Sequence, residues 1–124
     1  MGECKLQTGA FKEAVQYFST SVRVRPKNMA GWEALIRCLY RGGFFGEARQ
    51  QALAALQHTN GKPLFLFYIS AVLFALNKGK EALIYLEKGM QAAPKTVKKF
   101  ISLNPSLLQN ARVIDVIAQY KRKR

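Results

Sequence analysis

The chain of 124 residues is poor in the side chains from which catalytic and metal centres are built. It has one histidine, two cysteines and seven acidic residues, and no Cys-x-x-Cys pair. Structural zinc sites need four such ligands at close spacing, so this composition excludes a metal cluster. His58 stands alone, and no paired acids, glycine-rich phosphate loop or catalytic triad is recognisable. We therefore predict that the protein is not an enzyme and that it binds no metal or cofactor.

Negative charge is scarce as well. Twenty lysines and arginines face seven aspartates and glutamates, which gives a formal net charge of +13. Such a balance favours an acidic partner: nucleic acid, an anionic membrane surface or an acidic peptide. The basic residues are scattered along the chain, and scattered charge is more often a solvated surface than a nucleic-acid footprint. Nucleic acid is therefore the less favoured of these partners.

Long apolar segments are also lacking. The longest, Leu64–Leu76, falls short of the roughly 20 residues that cross a bilayer, so we predict no transmembrane segment. The first residues lack the basic flank and apolar run of a signal peptide, which makes the cytoplasm the default location. The first helix looks truncated, however, so we expect a fragment of a longer protein whose earlier part would contain any targeting signal.

What the chain does contain is an internal repeat. The pair Glu-Ala occurs at positions 13–14, 47–48 and 81–82, at equal intervals. Small residues recur in the same phase, at Ser21, Ala55 and Gly89. A regular period of this order indicates stacked repeats, and the spacing of the apolar residues is helical. We predict an all-α fold with repeats at 1–27 (truncated), 28–61 and 62–94, followed by a helical cap and basic tail at 95–124.

Turn and capping signals predict where the helices begin and end. The expected helices are 11–24, 28–40, 46–58, 63–76 and 80–92, with Gly9 ending the helix before them. After Pro94 the period is expected to fail. Residues 95–103 can start another helix, which Asn104, Pro105 and Ser106 interrupt, and Ser106 is expected to cap a last helix through Ala118 or beyond. Glu13, Glu47 and Glu81 are expected in first turns, where a carboxylate complements the helix dipole.

The two cysteines occupy the same phase in adjacent repeats. Equivalent points on stacked helix pairs lie about 10 Å or more apart. A disulfide needs Cα atoms within about 7 Å. We therefore predict that Cys4 and Cys38 are buried free thiols.

The pattern resembles the tetratricopeptide repeat family, in which Trp-x2-Leu-Gly-x2-Tyr in one helix is followed by Ala-x3-Phe-x2-Ala and a Pro in the next. The residues that fit are Gly2, Ala14, Phe18, Ser21 and Pro26, then Trp32, Leu35, Ala48 and Ala55, then Ser70, Ala82, Leu86, Gly89 and Pro94. Ile36, Ala52 and Asn60 depart from the pattern. The resemblance extends from Met1 to about Pro94. It implies an α-solenoid, a right-handed superhelix of antiparallel helix pairs whose first helices line a concave groove.

The resemblance also places a candidate site on the first helices. The groove positions would be Arg37, Tyr40, Arg41, Leu64, Phe67, Tyr68, Ala71 and Phe74. Contiguous exposed aromatics usually mark an interface. The alternative is that the C-terminal segment or a self-contact covers Phe67 and Phe74. The clamp of Lys, Asn and Arg with which family members hold a terminal carboxylate is not found at these positions.

These observations together predict a non-enzymatic protein–protein interaction module, a scaffold or adaptor. Its partner would be a peptide or a helix, with acidic flanks, bound in an aromatic groove with a basic rim. Self-association through the exposed apolar groove is a further expectation. The alternative function is an RNA- or DNA-binding helical repeat, driven by the net positive charge.

Overall fold

The computed structural model describes the backbone of residues 8–122 and the side chains of residues 12–120. Within these ranges every regular element is helical, which confirms the predicted all-α class. The α-helices are α1 (Thr8–Val24), α2 (Met29–Arg41), α3 (Phe45–His58), α4 (Pro63–Ala75), α5 (Gly79–Ala92), α6 (Val97–Leu103) and α7 (Ala111–Arg122). Two short 3-10 helices, Pro94–Thr96 and Pro105–Gln109, flank α6. Residues 1–7, with Cys4, and the end of the basic tail, 123–124, lie outside the described residues.

The chain divides into two compact units. Unit 1 is Met1–Gly61 and unit 2 is Lys62–Arg124. In unit 1, α2 packs against both α1 and α3. In unit 2, α4 packs against α5 and α6, while α7 packs against α5. Helices thus pack mainly against their neighbours in sequence.

Each unit contains a helix hairpin of the same size. The first helices, α2 and α4, have 13 residues each, and the second helices, α3 and α5, have 14. Every helix of the second hairpin begins and ends at the same phase of the repeat as its counterpart in the first. The structure is therefore consistent with a helical repeat of the period read from the sequence.

The turn inside the hairpin is repeated in atomic detail. Gly43 and Asn77 occupy the same phase, and both have positive φ, 84° and 62°. Glycine adopts that conformation freely, and asparagine tolerates it better than most residues do. The amide that follows each of them donates a hydrogen bond back across the turn, Phe44 to the Leu39 carbonyl at 2.9 Å and Lys78 to the Leu73 carbonyl at 2.8 Å.

The hairpins close on faces of apolar and small side chains. The packing face of α2 is buried as predicted, at Trp32, Leu35, Ile36 and Leu39. Facing residues on α3 are alanines, of which Ala48, Ala52 and Ala55 are fully buried. Small side chains there allow the helix axes to approach closely. In α4, which is apolar on all sides, every residue from Phe67 to Leu73 is buried.

Two predictions for the first helix and its surroundings are wrong. Gly9 lies inside α1 rather than at a helix end. A glycine inside a helix costs only about 1 kcal/mol relative to alanine, so it does not by itself end one. Cys38 is buried and disulfide-bonded, not a free thiol. The spacing argument against a disulfide assumed that Cys4 and Cys38 lie at equivalent points of stacked helix pairs, and Cys4 is outside the described residues.

The segment after Pro94 also differs from expectation. The helix α6 begins at Val97, the phase of the repeat at which Met29 begins α2 and Pro63 begins α4, so the period continues for one more short helix. Asn104 and Pro105 then end it. The last helix begins at Ala111 rather than near Ser106, because the Asn110 side chain accepts a hydrogen bond from the Arg112 amide at 2.9 Å.

Candidate partner-binding surfaces

The unit 1 part of the predicted groove is a partly exposed stripe on α2. Arg41 is exposed, Arg37 is half-buried, and Ala30 on the same face is exposed. Tyr40 is 9% exposed, and its ring meets the Phe45 ring edge to face with centroids 5.2 Å apart. This stripe therefore presents two arginines together with the half-buried Glu33, while its aromatic residue is held against the start of α3. We refer to Ala30, Arg37 and Arg41 as the α2 stripe.

The unit 2 part of the predicted groove is covered. Leu64, Phe67, Tyr68 and Ala71 are buried, and Phe74 is half-buried. The prediction that these side chains are exposed is wrong, and for Phe67 and Phe74 the structure shows the alternative, cover by the C-terminal segment. Their role in binding stays a prediction.

Phe100 of α6 supplies this cover. Its ring centroid lies 6.2 Å from that of Phe67 and 6.5 Å from that of Phe74, and Phe100 itself is fully buried. The physical reason is that a helix without a polar face must be covered on all sides. The sequence contained a signal for this contact. Phe100 occupies the phase of the repeat that Trp32 and Leu66 occupy on the first helices of the two hairpins.

A second feature that the sequence did not reveal is the fit of Phe67 against α5. A Cβ atom added to Gly89 would lie 2.9 Å from Cζ of the Phe67 ring. Ser70 ties the same two helices together, because its Oγ–H donates to the Ala82 carbonyl at 2.7 Å. Gly89 and Ser70 were matched to the repeat pattern as small residues, but the partner of each was not predictable from the pattern.

The charged side chains lie mainly on the exposed surface. In unit 1 exposed basic residues cluster around the turn between α1 and α2, at Arg23, Arg25 and Lys27. In unit 2 they occur near both ends of α5 and on α6, at Lys78, Lys80, Lys95 and Lys98. Glu47 and Glu81 lie in the first turns of α3 and α5, as predicted. Glu13 does not, because α1 begins at Thr8.

Within residues 12–120, no group of three or more His, Cys, Asp or Glu side chains is placed to hold a metal ion. No helix in the described part of the chain is long and apolar enough to cross a membrane.

No protein-family model and no curated protein matches the chain.

Proposed function

We propose that the protein is a non-enzymatic protein–protein interaction module built from tetratricopeptide-like repeats. The observation that supports this most directly is the duplicated hairpin, whose helices and turn recur at one fixed interval. That interval and the helix–turn–helix unit are those of the tetratricopeptide pattern. Modules of this kind stack repeats into extended binding surfaces.

The partner is a peptide or a helix that contacts the α2 stripe. Arg37 and Arg41 are four residues apart on one helix, so their guanidinium groups project from the same face. A carboxylate can accept two parallel hydrogen bonds from one guanidinium, which makes arginine well suited to acidic flanks. In unit 2 the corresponding positions Leu64 and Ala71 are buried, so we place the contact in unit 1.

A nucleic-acid partner is the second candidate, and the net charge of +13 is the observation that favours it. Phosphate contacts release counterions and give binding that is sequence-independent and steeply dependent on salt. The exposed Arg23, Arg25 and Lys27 would contribute to such binding.

A photo-crosslinking amino acid placed on the α2 stripe tests the proposal. Ala30 is exposed and lies on the stripe, so its replacement leaves the packed face of α2 unchanged. Gln57, exposed on α3, is the matched control position. In cell extract, we expect a defined protein adduct from position 30 and none from position 57.

Treatment of the crosslinked sample with nuclease separates the two candidates. An adduct that nuclease leaves intact supports the protein partner. An adduct that nuclease removes would replace this proposal with the nucleic-acid function. Equal adducts from both positions would show that the stripe is not the contact surface.

A further inference from the structure

Unit 1 contains two adjoining cavities that share Arg23. The smaller, of about 360 Å³, is lined by residues of α1, α2 and α3 and of the turn after α1. We call it the Trp32 pocket. The larger, of about 670 Å³, is an open cleft along the outer side of α1 that reaches Asn28. We call it the α1 cleft.

The Trp32 pocket has a fixed aromatic wall. The indole of Trp32 is 5% exposed, and its Nε1–H donates to the Pro26 carbonyl at 2.6 Å. The His58 ring is stacked on the indole, with centroids 5.7 Å apart and an angle of 12° between the planes. Two ring systems from two helices thus hold each other in place. A ligand that binds against them therefore pays little entropy for ordering these side chains.

The other lining side chains are rich in hydrogen-bond donors. Arg23 contributes a guanidinium, Gln51 a carboxamide, His58 an imidazole and Ser19 a hydroxyl. None of the described residues that line the pocket is acidic. Arginine is the side chain best suited to a carboxylate, because two parallel N–H groups match its two oxygens. The pocket is therefore complementary to a small anionic group.

The α1 cleft continues this surface with apolar side chains. Tyr17 is 65% exposed and Val24 is 71% exposed, and both line the cleft beside Arg25. Tyr17 and Val24 lie about two turns apart on one face of α1. Large exposed apolar side chains on a common face are typical of contact surfaces.

We propose that unit 1 binds an acidic peptide segment across these two cavities. The carboxylate of an aspartate or glutamate enters the Trp32 pocket beside Arg23, and apolar side chains of the same segment cover Tyr17 and Val24. This site is separate from the α2 stripe and does not depend on the function proposed for that stripe.

Charge and apolar contact favour an acidic peptide over two other ligands, a second copy of the chain and a nucleic-acid strand. A second copy of the chain, with a net charge of +13, would bring basic surfaces together. A nucleic-acid strand would leave the aliphatic Val24 without an apolar contact. An acidic peptide with apolar residues complements both the arginines and the exposed apolar side chains.

A library of random dodecapeptides displayed on phage, selected on the full chain, tests the proposal. We expect enriched peptides that combine acidic and apolar residues. Arg23→Ala is expected to weaken their affinity about tenfold, as is typical when a charge-assisted hydrogen bond is lost. Tyr17→Ala should weaken it as well. Arg112→Ala removes the same charge from an exposed site that lines neither cavity, and should leave the affinity within about twofold.

Other outcomes would overturn the proposal. One is equal loss of affinity in Arg23→Ala and Arg112→Ala, which would mean that only the overall charge attracts the peptide. A second is the failure of selection, or enrichment of peptides without acidic residues. A third is an oligouridine that binds more tightly than every selected peptide and is sensitive to Arg23→Ala. Circular dichroism of each variant controls for folding, and Arg23 is exposed, so its replacement removes no core contact.

Discussion

The position of the Phe67 ring depends on the absence of a side chain at Gly89. One period earlier, the same two positions are Glu33 and Ala55. The larger side chain of the third repeat, a phenylalanine in place of glutamate, is thus matched by a smaller residue opposite it, a glycine in place of alanine. Glu33, half-buried in the second repeat, corresponds to Phe67, which belongs to the core of unit 2. This pairing explains why a buried helix position in α5 has no Cβ atom.

Gly89→Ala should therefore destabilise unit 2. The added methyl group would lie 2.9 Å from the Phe67 ring. Overpacking of this kind costs about 1–3 kcal/mol, which exceeds the helix-propensity gain of about 1 kcal/mol. Urea unfolding followed by circular dichroism measures the change. Gly46→Ala is the control, because nothing lies within 4 Å of its Cβ position, and it should be neutral or stabilising. Equal effects of the two changes would contradict the close fit.

At the scale of elements, the hairpin turn requires a residue with positive φ, in the left-handed backbone conformation, at one position. Gly43 and Asn77 both meet that requirement, with φ of 84° and 62°. A residue with a Cβ atom and no compensating local hydrogen bond loses roughly 1–2 kcal/mol in this conformation. The same hydrogen bonds form across both turns, so the requirement comes from the hairpin and not from the residue type.

Two substitutions at Asn77 test this requirement. Asn77→Gly should leave stability unchanged or raise it, since glycine fills the same position in the first hairpin. Asn77→Ala should lower the free energy of unfolding by about 1–2 kcal/mol. Thermal unfolding of the two variants, compared with the unchanged chain, measures the difference. If the alanine variant were as stable as the glycine variant, the turn would have to be able to adopt another backbone conformation.

The helices of the two hairpins were predictable closely, because apolar spacing, the Gly43 turn and Pro63 all point to the same boundaries. The sequence also predicts a short helix over 95–103, interrupted at Asn104 and Pro105, and α6 confirms it. What was missed is that α6 continues the repeat. It begins in phase with α4, but Asn104 and Pro105 end it before the repeat pattern becomes recognisable. A periodic sequence shows which face of a helix is apolar. It does not show which later segment covers that face.

Phe100→Ala measures what this cover contributes. Phe100 is fully buried against Phe67 and Phe74, and removing such a ring typically costs about 3–5 kcal/mol. We expect a large loss of stability and increased binding of a dye that reports exposed apolar surface. Lys98→Ala, exposed on the same helix, should stay within about 0.5 kcal/mol of the unchanged chain. A stable Phe100→Ala variant that binds no dye would mean that α6 is dispensable as cover.

At the scale of the whole molecule, the charge of +13 predicts how binding responds to salt. Binding of single-stranded RNA through six or more phosphates should weaken by about 300-fold or more between roughly 50 and 200 mM salt. Binding of a peptide should change far less, because only a few charged contacts are screened. Fluorescence anisotropy over this range of salt concentration measures how steeply the Kd of each ligand depends on salt. A captured partner whose affinity follows the steep slope would favour the nucleic-acid function.

Less of the candidate site than of the fold could be predicted. The sequence placed Arg37 and Arg41 on a partly exposed face, and the structure agrees. It could not show that Phe67 is buried, since that depends on α6 and on the glycine in α5. Nor could it show the Trp32 pocket, because Arg23, Trp32 and His58 come together only through the packing of three helices.

The pinned indole of Trp32 has a consequence for spectroscopy. Trp32 is the only tryptophan of the chain, and it belongs to unit 1. Its burial, its bond to the Pro26 carbonyl and its stacking on His58 are all lost when unit 1 unfolds. Emission excited at the indole absorption edge is therefore an intrinsic reporter of that unit, whereas the far-ultraviolet signal averages over both. If the denaturation curves from the two signals superimpose, the two units unfold as one cooperative molecule. If the curves separate, each unit has its own unfolding transition.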